Sequence, residues 1–168
     1  MVDLFHVSAN EFVVKLPESK NPEDFRRHLA ELGTVEALPA SPGHLHLRLT
    51  ESASDVPKIA WNTVRKFLAK KDKNVAVGPV LLDEHDNPRY SLGTVTVRFK
   101  ESPSEQEVAS FGDLFGLRFR ARNSFIPAQV SFEPLDSHQF LPDVVEHVRK
   151  EGDIVAVWPE TLSFYKRG

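Results

Sequence analysis

His44 and His46 stand two residues apart in the stretch HLHLRL. On an extended strand that spacing puts both imidazoles on one face, where two metal ligands could meet an ion. No third ligand is placed beside them by the sequence, so they read as polar residues opposite Leu45 and Leu47, and no metal is expected. Further along, Arg118, Arg120 and Arg122 alternate with Leu117, Phe119 and Ala121. Strand periodicity predicts all three guanidinium groups on one face, where their forked donors match carboxylates. Gln129 and Ser131 in the next alternating run extend that face. His44, His46 and Arg48 repeat the arrangement in the first half of the chain. G-x-S-x-G, a glycine-rich phosphate loop and H-E-x-x-H are all absent. With no cysteine in the chain, disulfides, thiolate metal sites and a cysteine nucleophile are excluded. A protein without catalytic residues or a cofactor is the expectation, with the arginine-rich face as its docking surface.

Composition narrows the partners further. The 168 residues carry a formal net charge of −3, which argues against nucleic acid and against an anionic membrane as partners. A sheet that reads RNA would place aromatic residues on its open face for base stacking. Here that face carries Thr, Arg, Gln, Ser and Glu. No apolar run approaches the length of a membrane span. The start, Met1 to His6, has no basic stretch followed by an apolar run, so a cytoplasmic protein is expected if Met1 is the natural start.

The elements that position these residues occur twice. FVVKLPES at 12–19 aligns with VTVRFKES at 95–102, Gly33 with Gly116, Pro57 with Pro142, and VRK at 64–66 with VRK at 148–150. Val-Ala-Val-x-Pro closes each copy, at 75–79 and 155–159. Within a copy, Phe12, Val14 and Leu16, or Val95, Val97 and Phe99, alternate as in a half-buried strand. A helix follows. Asn21 caps it and Pro22 suits its first position, and in the second copy Ser104 and Glu107 form a capping box. Gly33 and Gly116 are expected to end these helices. Two strands come next, joined by turns rich in Pro, Gly, Asn and Ser. A second helix is predicted over about 54–70 and about 137–150, and a last strand at 75–77 and 154–157. Each copy is therefore βαββαβ. The expected fold class is α+β: two tandem ferredoxin-like sandwiches, each an antiparallel sheet with helices on one face. The boundaries are a first domain at 8–84, a linker at 85–93 (HDNPRYSLG) and a second domain at 94–168 with a C-terminal tail.

GTVTVRFKESPSEQEV with FGLRF, and then HVRKEGDIVAVWPETLSF, carry a resemblance. Each copy resembles the propeptide domain of subtilisin-like serine proteases, the peptidase inhibitor I9 fold. Val155, Val157, Pro159 and Glu160 occupy the family's closing pattern, and Val75, Val77 and Pro79 match it more weakly. What the resemblance implies is a non-catalytic module that docks on a subtilisin-like serine protease, in cis or in trans, as inhibitor or folding chaperone. The sheet face would lie on the protease, and a C-terminal segment would enter its cleft. The segment it implies here is Glu160, Thr161, Leu162, Ser163, Phe164 and Tyr165. Two other readings share the βαββαβ order. One is a tandem ACT-like small-molecule sensor, which would need a glycine at the first strand–helix junction that PESKNPED and KESPSEQE lack. The other is an RNA-processing protein of two ferredoxin-like halves.

Overall fold

The protein is described here by a computed structural model, over residues 6–17, 21–39, 41, 43–136 and 139–163. Its elements run β1 (His6–Lys15), α1 (Pro22–Leu29), β2 (Gly33–Ala37), β3 (His44–Leu49), α2 (Pro57–Ala69) and β4 (Ala76–Leu82). Then come β5 (Pro88–Phe99), α3 (Glu105–Phe115), β6 (Leu117–Arg122), β7 (Gln129–Pro134), α4 (Leu141–Arg149) and β8 (Ile154–Leu162). The chain divides into two compact units: Met1–Leu92 with Thr161–Gly168, and Gly93–Glu160.

In the first unit the strands lie in the order β4-β1-β3-β2, all antiparallel. That order, with two helices as the connections, is the ferredoxin-like arrangement expected of βαββαβ. Phe12 and Val14 point to one side of β1 and are fully buried, with Leu45 and Leu47 opposite them in β3. The helices supply Phe25, Leu29, Ala60, Val64 and Leu68 to the core. Trp61 fastens α2 to the sheet, its indole N–H donating to the Val77 carbonyl at 2.7 Å. A buried indole requires such an acceptor. His28 of α1 stacks on Phe67 of α2, with ring centroids 4.2 Å apart.

The second unit repeats the plan with β5-β7-β6 in order and β8 paired to β5. Its core gathers Val95, Val97, Val130, Phe132 and Val148, all fully buried. The Ser104–Glu107 capping box is formed, and Gly116 caps α3 in the left-handed region at φ 66°.

Several local expectations are corrected. Gly33 does not end α1, which stops at Leu29. It opens β2, where a Cβ would stand 1.9 Å from the Arg48 carbonyl oxygen, so close pairing rather than helix termination requires glycine. The helices predicted from about 54 and 137 begin at Pro57 and Leu141; residues 137 and 138 lie outside the described residues. The closing prolines do not mark the end of the sheet. Pro79 lies within β4 opposite Phe12, beside a register shift of β1 between Val7 and Phe12. A proline without an N–H fits a strand at such an irregularity. Within the stretch 85–93, residues 88–93 belong to β5. Asp83 accepts from the backbone N–H of His85 and of Asn87 to make a tight turn, and Pro88–Tyr90 then lie antiparallel on β4.

Candidate functional site

Opposite its helices, the second unit presents rows of polar residues. Thr96 of β5 pairs with Ser131 of β7, and Arg98 pairs with Gln129. Beyond β7 lies the edge strand β6, in which Arg118 faces Glu133 and Ala121 faces Ser131. Between Phe119 and Ala121 the register shifts by one residue, and Arg120 is the extra residue. Such a bulge turns the following side chains over. The three arginines expected on one face are therefore split. Arg118 donates to Glu133 through Nε and Nη2, at 2.8 and 2.5 Å, and Arg120 Nη1 lies 3.8 Å from the same carboxylate. Arg122 opposes the buried Val130, and its Nη1 donates to Ser102 Oγ at 3.2 Å. Gln129 and Ser131 remain on the polar face, half-buried.

Glu160 sits on that same face. Its Oε2 accepts from Thr94 Oγ1 at 2.5 Å, and its Oε1 accepts from Thr96 Oγ1 at 2.8 Å and Ser131 Oγ at 2.9 Å. Thr94 and Thr96 are 2% and 3% exposed, so the carboxylate serves donors that water does not reach. Burial alone would raise the Glu160 pKa; the three hydroxyl donors and the Arg120 charge together outweigh it and hold the carboxyl below its usual range.

The first unit's face has a different character. Glu11 of β1 accepts from His46 Nε2 at 3.0 Å and from Arg48 Nη2 at 3.2 Å. The His46 hydrogen bond, opposed by burial and aided by Arg48, holds the Glu11 carboxyl below its usual range. Tyr90 meets His46 edge-on at 5.1 Å and packs on Val13, Leu38 and Val80, a small apolar patch. Burial, reinforced by the Glu11 charge, raises the Tyr90 pKa. His44 turns instead to Ser41, with Nδ1 2.8 Å from its hydroxyl. Among the described residues no group of three His, Asp or Glu side chains converges as a metal site.

The segment expected to enter a protease cleft begins within a strand. Glu160, Thr161 and Leu162 are the last residues of β8, and Ser163 Oγ accepts from Arg89 Nη1 at 3.2 Å. Phe164 and Tyr165 lie outside the described residues.

Three participants were not singled out by sequence reasoning. Glu11 lies in β1 and Tyr90 in β5, and the side chains they meet are remote in sequence or on another strand. Phe125, 93% exposed, sits in the β6–β7 turn NSFIP, where a phenylalanine among turn formers was itself the signal.

No helix among the described residues is long and apolar enough to cross a membrane. No family model matches the chain, and no curated protein matches it. A solved complex titled as Sxl-lethal protein with RNA is similar to it at 9% identity and a TM-score of 0.33, over 91% of this chain and 100% of that one. Nothing in these comparisons connects the chain to protease propeptides. The expectation of no nucleic acid is the one this finding runs against, since the similar structure is titled as a protein–RNA complex. Net charge averages over the local arginines of the second unit, and an exposed aromatic residue, Phe125, stands in the β6–β7 turn beside its polar face.

Proposed function

We propose that this protein is a non-catalytic module that binds single-stranded RNA on the polar sheet face of its second unit. One observation carries the reading. Arg118 and Arg120, with side chains 63% and 51% exposed, stand at the rim of a helix-free face whose surface is hydroxyl, amide and guanidinium. Arginines of this kind neutralise phosphates. Gln129, Ser131 and Arg98 offer the donors and acceptors that unpaired base edges and 2′-hydroxyls require. Their pairing with Glu133 holds Arg118 and Arg120 in place without burying them.

Protease docking is less well supported. It calls for a segment free to extend into a cleft, and Glu160 is tied down by three hydroxyls.

The test is fluorescence anisotropy of a labelled, unstructured RNA of about ten nucleotides, across a salt series starting near 50 mM. Binding should weaken with salt, with a log–log slope of roughly −1.5 to −3, as expected for about two to four phosphate contacts. Arg118→Ala with Arg120→Ala should reduce that slope by about 1 to 1.5. Absence of binding at low salt and tens of micromolar protein would overturn the reading.

A further inference from the structure

The β6–β7 connection carries the most exposed large apolar side chain described in the molecule, and it does so on an ordered backbone. Asn123 Oδ1 accepts from the backbone N–H of Phe125 at 2.8 Å and of Ile126 at 3.1 Å. Asn123 N–H donates to the Gln129 carbonyl and Gln129 N–H to the Ile126 carbonyl, both at 2.9 Å. Phe99 N–H, from the neighbouring strand, closes on the Ala128 carbonyl at 2.8 Å. Five hydrogen bonds thus fix a short loop, and Pro127 restricts it further. The phenyl ring of Phe125 nevertheless remains 93% exposed, and Ile126 beside it is 37% exposed. No core contact explains this ring. An ordered loop that displays an aromatic side chain has already met the entropic cost of holding it ready for a partner.

The neighbours identify the partner's chemistry. The loop closes on Gln129, which is paired with Arg98. Arg98 is exposed and makes no ion pair among the described residues. An aromatic ring beside a guanidinium group and an amide suits a ligand with a flat ring linked to an anion. An unpaired nucleotide has that form: the base stacks and the phosphate takes the arginine.

We infer that Phe125 is the base-stacking platform of the second unit, taking one unpaired base of a single strand whose adjacent phosphate lies on Arg98. This inference rests on the RNA-binding reading and deepens it. The strand would run across the sheet from Arg118 and Arg120 at one end of the rows to Arg98 and Phe125 at the other. Stacking on a phenyl face is tolerant of base identity, so the preferred ligand is single-stranded with little sequence preference.

The experiment uses the full chain and an unstructured RNA of about ten nucleotides with 2-aminopurine at internal positions. Phe125→Ala should weaken binding about 5- to 150-fold, the range of one lost base–aromatic stack, and leave the salt slope unchanged because no charge is removed. Phe125→Trp should restore affinity, and the variant should show an indole quench on RNA addition beyond that of the parent's two tryptophans. Because the ring is exposed, both variants should keep the parent's circular dichroism and melting temperature. If the parent binds RNA and Phe125→Ala binds equally well, the stacking inference fails while the RNA reading stands. If the parent binds no RNA, both fall. Co-sedimentation of the parent with anionic phosphatidylserine vesicles, lost in Phe125→Ala, would then reassign the loop to a lipid surface.

Discussion

Replacing Glu160 with alanine tests the best-defined polar contact on the second unit's face. The substitution removes the acceptor of three hydroxyls at once. Thr94 is 2% exposed and its hydroxyl donates to Glu160, so its donor is left without water or partner, at a cost of about 1–3 kcal/mol. Thr96 and Ser131 lie 3.3 Å apart and can bond to one another, so only one further donor is orphaned between them. That adds about 1 kcal/mol. The variant also avoids the cost of desolvating a half-buried carboxylate on folding, which offsets part of the sum and leaves a net loss of about 2–3 kcal/mol. For a chain of 168 residues this lowers the melting temperature by roughly 4–12 °C. Glu160→Gln keeps an oxygen for Thr96 and Ser131 but turns an amide N–H toward Thr94, whose hydroxyl must then accept; its loss should be about 1 kcal/mol. The effect has a pH signature. A carboxyl whose pKa is depressed on folding contributes stability that is fully present above its unfolded value, near 4.3, and is lost as pH falls through the folded value. The gap between parent and Glu160→Ala should therefore be full at pH 7 and shrink below about pH 4. Urea melts followed by circular dichroism at both pH values provide the measurement. A gap under about 0.5 kcal/mol at pH 7, or one undiminished in acid, would refute the reasoning.

Two substitutions probe the first unit. Gly33→Ala forces a Cβ to within 1.9 Å of the Arg48 carbonyl oxygen, so β2 must draw away from β3; a loss of about 1–3 kcal/mol is expected, with amide-exchange protection falling along Gly33–Ala37 and unchanged in β7. Trp61→Phe removes the donor to the Val77 carbonyl and should lower the urea midpoint by the equivalent of about 1–2 kcal/mol without altering the slope, and an unchanged midpoint would count against that bond.

The fold was legible where local chemistry decides it. Alternation at Phe12 and Val14, and at Val95 and Val97, marks the central strands because burial on one face imposes a period of two. Asn21, Ser104 with Glu107, and Gly116 mark helix ends because their side chains or backbone freedom satisfy groups only a few residues away. The misplacements share another cause. Gly33 is required by a carbonyl fifteen residues further on. Pro88–Tyr90 are strand because β4 lies beside them, although Asp, Asn and Pro around them spell a turn. Glu160 looked like the root of a free tail because its partners come from β5 and β7. Pairing between distant strands has no local spelling, and the functional face is built from such pairings.

The bulge at Arg120 shows how much can rest on one such pairing. Without it, period two would carry Arg118, Arg120 and Arg122 to one side and give the second unit a three-arginine stripe. With it, the strand changes sides midway. Arg118 and Arg120 stay on the polar face and share Glu133, while Arg122 passes to the helix side and reaches Ser102. The inversion also sets the exit of β6, so that Asn123 can close the loop on Gln129 and display Phe125. An edge strand gains a second advantage from this arrangement, because charge and a bulge both oppose pairing with a foreign strand. The first unit keeps its corresponding strands, β2 and β3, in unbroken register from Gly33 to Ala37, and its face carries the Tyr90 patch and the Glu11–His46–Arg48 cluster instead. The same βαββαβ frame therefore carries two faces of different character. What differs between them lies in the outward-facing positions and in one extra residue, and neither disturbs the alternation that builds each core.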